Sequence, residues 1–414
     1  MRSLLVLGRQ PAVSLAELES LYGADKLLPV GPQAAIVDVD PCLLAFDRLG
    51  GSLKFCKLLT ILETTNWGEI EKFLVKVSPG HAQTMPEGKM RLGLSVIGLE
   101  VSLKRLEASG LTIKKVIGKT GRSVRLIPNK SLELNSAQAI HNQLTGPTGW
   151  ELVFIRDGRQ TIVAQTVKVQ DIEAYTRRDR ERPKRDAKVG MLPPKLAQIL
   201  VNLAAGQLSE NKLESICDIP AGQPVPRPIL DKVVLDPFCG SGVVLQEALL
   251  MGYGSYGSDL EPRMIDYARQ NLNWLGNLYN LEGIEDCQLE AADATNHQWG
   301  QPIDFVATET YLGRPFTSQP SAEVLAQTVQ DCNLIIKKFL RNIHGQLKPD
   351  TRLCLAVPAW QVKPNQFKHL PLIDQLGDLG YNRVSFEHIR DDQLIYYRPD
   401  QIVARQLIVL TSKP

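Results

Sequence analysis

Apolar and polar positions along this chain change period several times. SLLVLG near the start reads as a short strand, and AAIVDVD at 34–40 alternates as a half-buried strand does. Between them, Ser14 and Glu17 make the S-x-x-E pattern of a capping box, which predicts a helix through Tyr22 that Gly23 ends. From about 61 to 170 a second α+β pattern follows. Its strands are RLGLSVIG, SVRLIP, ELVFIRDG and TIVAQTV, and its helices VSLKRLEASG and SAQAIHNQLTG. From 233 onward strands and helices alternate, the sign of a doubly wound parallel sheet. The closing stretch HIRDDQLIYYRPDQIVARQLIVLTS reads as strand, turn and final strand. Tyr396, Tyr397 and Arg398 there either close the sheet or stack on bases.

A chain of 414 residues is long enough for two or three domains. Its 43% hydrophobic and 22% charged residues are those of a water-soluble globular protein, and no apolar run nears the roughly 20 residues of a membrane span. MRSLLVLGRQP has no small-residue cleavage site behind it and reads as a first strand, not a signal peptide. Seven cysteines stand without a C-x-x-C pair, which argues against a zinc site or disulfide framework and fits a reducing cytoplasm. A net charge of +2 leaves nucleic-acid affinity to a local patch. One such patch is TRRDRERPKRDAK within 171–190, with Arg177, Arg178, Arg180, Arg182, Lys184, Arg185 and Lys188 against three acids. It reads as a basic linker, either solvated or in contact with phosphates.

The segment VVLDPFCGSGVVLQEALLMG at 233–252 carries the chemistry. VVL is the continuous apolar run of a buried parallel strand, and Gly240 and Gly242 let the backbone turn and a ligand approach it. A dinucleotide fingerprint needs a third glycine where Leu245 stands, and a P-loop needs a lysine that is absent. Asp236 instead suits the ammonium end of S-adenosylmethionine (SAM). Two further acids follow at strand ends, Asp259 in GSYGSDLEP for the ribose hydroxyls and Asp293 in CQLEAADATN for the adenine amine. Each alone reads equally as a helix-capping Asp, but three in register at successive strand ends fit a ligand crevice. Phe238, Ser241, Leu260 and Ala294 complete the expected cofactor pocket.

VVLDPFCGSG, SYGSDLEPRMIDYARQNL and AADATN together resemble the RNA guanine-N2 methyltransferases, in particular the THUMP-domain tRNA (guanine-10-N2)-methyltransferase family. The likeness extends upstream. RLGLSVIG, GRSVRLIPN, LNSAQAIHN and AQTVKVQDIEAYTRRDRERPKRDAKVGMLPPKLAQ look like its THUMP domain and connecting segment, and SLAELESLYG and RLGGSLKF like its N-terminal domain. The resemblance implies an α/β chain: a ferredoxin-like domain at 1–60, a THUMP RNA-binding domain at 61–170, a basic linker at 171–190 and a Rossmann-like SAM methyltransferase domain at 191–414. It implies tRNA as partner, gripped by the THUMP module at its acceptor end, with SAM as cofactor, no metal, no membrane and no DNA. It leaves open whether a partner subunit joins.

The chain departs from the family at its fourth motif. Amino-methyltransferases carry D/N-P-P-Y/F after the fourth strand, where polar oxygens accept the amine hydrogens and the aromatic ring stacks on the flipped base. Here the sequence reads IDFVATETYLGRP, so Thr308 replaces the acid, Glu309 and Thr310 replace both prolines, and Tyr311 keeps its place. Three catalytic readings follow. Glu309 works with Tyr311, or Thr308 and backbone oxygens suffice, or the chain binds RNA with lost or weakened catalysis. Another tRNA guanine or a ribosomal RNA remains an alternative target.

Overall fold

The computed structural model describes residues 2–186, 191–220, 222–226, 230–281, 283–316 and 318–414. The chain divides into two compact units. One comprises Met1–Pro11, Asp25–Phe46 and Ser52–Ile172, the other Ala12–Ala24, Asp47–Gly51 and Glu173–Pro414.

The first unit is built on β1 (Ser3–Leu7), β2 (Leu27–Val30), β3 (Ala34–Val37), β4 (Ser52–Leu62), β5 (Met90–Ile97), β6 (Val124–Leu126), β7 (Gly149–Asp157) and β8 (Gln160–Val169). They form a single sheet in the order β2-β3-β1-β4-β8-β7-β5-β6. Strands from 1–60 and from 61–170 therefore share one sheet, joined where β4 runs antiparallel to β8. Helices α2 (Trp67–Thr84) and α3 (Leu103–Gly118) cover part of it, and α4 (Ser136–His141) follows β6. Trp67, Ile70 and Leu74 of α2 pack with Leu106, Ile113 and Ile117 of α3 over Leu92, Leu94 and Phe154.

Helix α2 is one the sequence reading missed. Its buried positions 67, 70, 74, 78 and 82 keep helical spacing, but Pro79 and Gly80 disguise it. The helix passes through Pro79, and the Ser78 hydroxyl donates to the Leu74 carbonyl one turn back. Helix α3 likewise runs eight residues beyond Gly110, where an ending was expected. A Cβ at Gly110 would sit 2.8 Å from Leu126, so the glycine serves close packing on β6 and does not end the helix.

The second unit includes helix α1 (Pro11–Tyr22) from Ala12 onward. The S-x-x-E pattern is not a capping box, because the helix starts at Pro11 and both residues lie inside it. Both side chains reach sideways instead. Ser14 donates to the Gly51 carbonyl at 2.8 Å, and buried Glu17 accepts from the Gly50 and Gly51 amides and from Asn202. Arg48 then donates to Asn202 and to the Tyr253 hydroxyl, closing a polar network inside this unit. Burial outweighs these partners and raises the Glu17 pKa to about 7.

Next come α5 (Ile172–Arg180), α6 (Pro194–Ala205) and α7 (Glu210–Cys217). The expected basic linker is thus helical in its first half. Arg178 is buried and its Nε donates to buried Glu247 at 2.7 Å, so it is unavailable to phosphates. Breaking such a buried pair costs about 3–5 kcal/mol. Arg182 is buried too, and Lys188 lies outside the described residues.

The rest is β9 (Val233–Asp236), α8 (Val243–Leu250), β10 (Gly254–Asp259), α9 (Pro262–Tyr279), β11 (Gln288–Ala291), β12 (Phe305–Glu309), α10 (Ala322–His344), β13 (Arg352–Lys363), β14 (Gln366–Lys368), β15 (Tyr381–Arg383), β16 (Ile395–Tyr396) and β17 (Val403–Ser412). The sheet order is β11-β10-β9-β12-β13-β17-β15, with β14 paired to β13 and β16 to β17. β11, β10, β9, β12 and β13 are parallel, and β17 turns antiparallel between β13 and β15. This is the Rossmann-like sheet that the alternation from 233 onward predicts. Its order reverses between β9 and β12, which opens a crevice at their carboxyl ends.

Candidate active site

The loop from β9 to α8 makes one wall of that crevice. Gly240 and Gly242 both have positive φ, +50° and +87°, where a side chain would strain the backbone. Their surroundings differ. A Cβ on Gly242 would meet Ala268 of α9 at 3.2 Å, whereas one on Gly240 would meet nothing within 4 Å. Gly240 therefore borders open space of the kind a bound ligand fills.

Three acids end the neighbouring strands, and each already holds backbone amides. Asp259 Oδ2 accepts from Gly240 N at 2.9 Å and Oδ1 from Glu261 N at 3.0 Å, tying β10 to the glycine loop. Burial nonetheless raises its pKa above the usual carboxylate range. Asp293 Oδ1 accepts from Thr295 N at 2.9 Å. Each carboxylate oxygen keeps a second lone pair for a ligand hydroxyl or amine. Leu260 beside Asp259 is 66% exposed, an apolar surface on which a flat ring can lie. Ala294 is buried, and its carbonyl accepts from Asn342. Phe238 packs edge-on against Phe339 of α10 with ring centroids 5.2 Å apart, so it anchors the loop to the core.

Asp236 is almost wholly buried. Its Oδ1 takes the Thr308 hydroxyl at 2.5 Å and the Phe238 amide at 3.2 Å. Burial raises its pKa to about 7 despite both hydrogen bonds. It joins the glycine loop to the end of β12.

The four residues 308–311 separate sharply. Thr308 is fully buried and committed to Asp236, leaving no exposed surface to touch a base. Thr310 is buried, with amide and hydroxyl both donating to the Ala356 carbonyl. Glu309 points elsewhere, and its Oε1 accepts from Arg405 Nε of β17 at 2.7 Å. Tyr311 is 44% exposed at the lip of the strand. Gly313 has φ +82°, and a Cβ there would lie 2.7 Å from Thr328, so packing on α10 already explains this glycine.

Residues 230–397 match the sequence model of a family described as a methyltransferase domain. This part of the chain is similar to methyltransferase domains. Two proteins named tRNA (guanine(10)-N2)-dimethyltransferase are similar to the chain. That of Methanothermobacter thermautotrophicus is 28% identical over 170 residues, 41% of this chain and 39% of that protein. That of Pyrococcus abyssi is 26% identical over 171 residues, with the same shares of both chains. The chain thus matches well under half the length of these relatives. Among solved structures, TrmN from Thermus thermophilus superposes over 100% of both chains with a TM-score of 0.50 at 15% identity, a likeness of fold.

The site also involves residues that sequence reading passed over. Asn271 of α9 is fully buried among Met264, Ala268, Leu272 and Leu275. Its Nδ2 donates to the carbonyls of Ser241 and Lys184, and its Oδ1 accepts from Lys184 N, all at 2.9 Å. It clamps the glycine loop and the basic segment together. The available signal was a polar residue on an apolar helical stripe, which stays buried only when its hydrogen bonds are met. Arg405, deep in the final strand, gave no local signal at all. Among the described residues no group of three or more His, Cys, Asp or Glu could hold a metal ion, and no helix is long and apolar enough to cross a membrane.

Proposed function

We propose that this protein transfers methyl from SAM to the exocyclic N2 of a guanosine in tRNA, with position 10 as the first target to test. The names of the two relatives support the substrate, and the crevice geometry supports the chemistry. The observation that carries the reading is Glu309 at the tip of β12, two positions before exposed Tyr311 and one residue from the Thr308–Asp236 link to the glycine loop. The acid missing at 308 is supplied at 309.

On this reading Asp236, Phe238, Gly240, Ser241 and Gly242 form the wall for the methionine part of the donor, Asp259 and Leu260 the ribose and ring, and Asp293 and Ala294 the adenine. SAM supplies an electrophilic methyl, and the sulfur keeps the electron pair of the broken S–C bond. Tyr311 stacks on the flipped base, and the Glu309 carboxylate accepts an N2 hydrogen and takes the proton that nitrogen loses. Positioning and electrostatics carry the step. The first unit is the RNA-binding part, with a THUMP domain at 61–170 and those residues of a ferredoxin-like segment at 1–60 that lie outside Ala12–Ala24 and Asp47–Gly51. A cytoplasmic site of action fits seven cysteines with no C-x-x-C pair among them.

Purified protein with labelled SAM and a tRNA pool should yield N2-methylguanosine on nucleoside analysis. SAM binding without methyl transfer to any tRNA would overturn the enzyme reading. It would favour an RNA-binding protein with weakened catalysis, a second reading that rests on the prior engagement of Thr308 and Glu309 by Asp236 and Arg405.

A further inference from the structure

Glu309 and Arg405 meet through one atom each. Arg405 Nε donates to Glu309 Oε1. Among the described residues, Glu309 Oε2 and the two terminal nitrogens of Arg405 have no partner, and none of the three is sealed from solvent. A residue only 8% exposed thus keeps two donors reachable from outside. Arg405 is also held firmly. Its strand pairs with β13 at Pro358 on one side and with β16 at Tyr396 on the other. The result is a fixed acceptor with a fixed donor beside it.

We infer that this pair reads the base-pairing edge of the target guanine, with Arg405 as a specificity-determining residue. A carboxylate only accepts hydrogen bonds and a guanidinium only donates them. Guanine presents two donors in a row, N2–H and N1–H, followed by the acceptor O6. With Glu309 facing the two donors, as the proposed function requires, Arg405 faces O6. 2,6-Diaminopurine keeps the N2 amine but carries an amine where guanine has O6, so a donor would face a donor. A purine with that change retains the reacting nitrogen but also loses the N1 hydrogen, so it mismatches Glu309 as well as Arg405, and the share that belongs to Arg405 is the part of the preference that Arg405 variants remove. The inference rests on guanine N2 being the acceptor. It assigns the final strand a task that the four residues 308–311 do not perform.

The test uses full-length protein and synthetic RNA carrying guanine or 2,6-diaminopurine at the methylated position, once nucleoside analysis has mapped it. Wild-type protein should methylate the guanine RNA faster by roughly 100-fold, the scale of one well-made base-edge contact. Arg405→Gln, whose amide can either donate or accept, should narrow that ratio to within roughly tenfold. Arg405→Lys keeps a donor and should retain most of the preference. SAM affinity measured by calorimetry should match wild type in both variants, establishing that they fold. If both variants slow the two RNAs equally and leave the ratio unchanged, the pair is a brace for Glu309 and the inference falls. Absence of N2-methylguanosine with wild-type protein would instead overturn the proposed function and remove the basis for a guanine reader.

Discussion

The side of the crevice proposed for the methyl donor (the donor side), 236–294, and the side proposed for the acceptor (the acceptor side), 308–311, lie at the ends of neighbouring parallel strands but are built on opposite principles. The donor side is shaped by backbone. Gly240 opens onto free space, and Asp259 and Asp293 hold amides while keeping lone pairs to spare. On the acceptor side, side chains are tied to other side chains, Thr308 to Asp236 and Glu309 to Arg405. A backbone-built pocket tolerates many side chains as long as the glycines and strand ends remain. A site of tied side chains depends on each partner, so its motif can drift only when a neighbour compensates.

The comparison breaks most visibly at Glu309. Glu309→Gln should slow methyl transfer by roughly 100- to 1,000-fold with SAM affinity unchanged, because only the acceptor side loses its proton acceptor. Comparable loss of SAM binding in calorimetry would mean that the two sides are not separable.

Asp236 spans both sides and should show its burial in the pH dependence of stability. Its folded pKa of about 7 lies above the ordinary 3.8, so the folded state binds the proton more tightly. The stabilisation this provides is complete below about pH 4 and lost as pH rises through about 7. Wild type should therefore lose up to about 4 kcal/mol relative to Asp236→Asn between those limits. Urea midpoints of both proteins at pH 5 and pH 8 should show roughly 2–3 kcal/mol of this change, and a constant difference would refute the assignment.

Gly240→Ala tests the open space directly. It should weaken SAM binding by roughly tenfold, from about 1–2 kcal/mol of backbone strain plus a methyl group in the donor's place. Thermal unfolding should shift only a few degrees, on the order expected for 1 kcal/mol. A smaller effect is expected at Asn271. Its alanine variant leaves the Ser241 carbonyl without that partner, which costs about 1–3 kcal/mol of stability and should weaken SAM binding severalfold. If Asn271→Ala loses stability but binds SAM as wild type does, the clamp does not act on the donor loop.

The amino-acid order alone determined much of the donor side. A buried apolar run, two glycines and an acid at each of three strand ends depend on neighbours within a few residues, where pattern and chemistry are both visible. The alternating strands and helices from 233 likewise announced the parallel sheet. The register of side chains along one strand was legible too, since Thr308 and Glu309, being adjacent, had to point different ways. What each would then meet was not. Arg405 lies 96 positions away and joins Glu309 only because β17 inserts antiparallel beside β13. Ser14 and Glu17 had the spacing of a cap, but the partners that gave them another task are Gly50, Gly51 and the distant Asn202. Arg178 read as solvated charge until Glu247 was found buried against it. Local sequence fixes the conformations a segment prefers. Only the folded arrangement decides which buried charge finds which partner, because the cost of desolvation is settled by whatever the whole chain brings alongside.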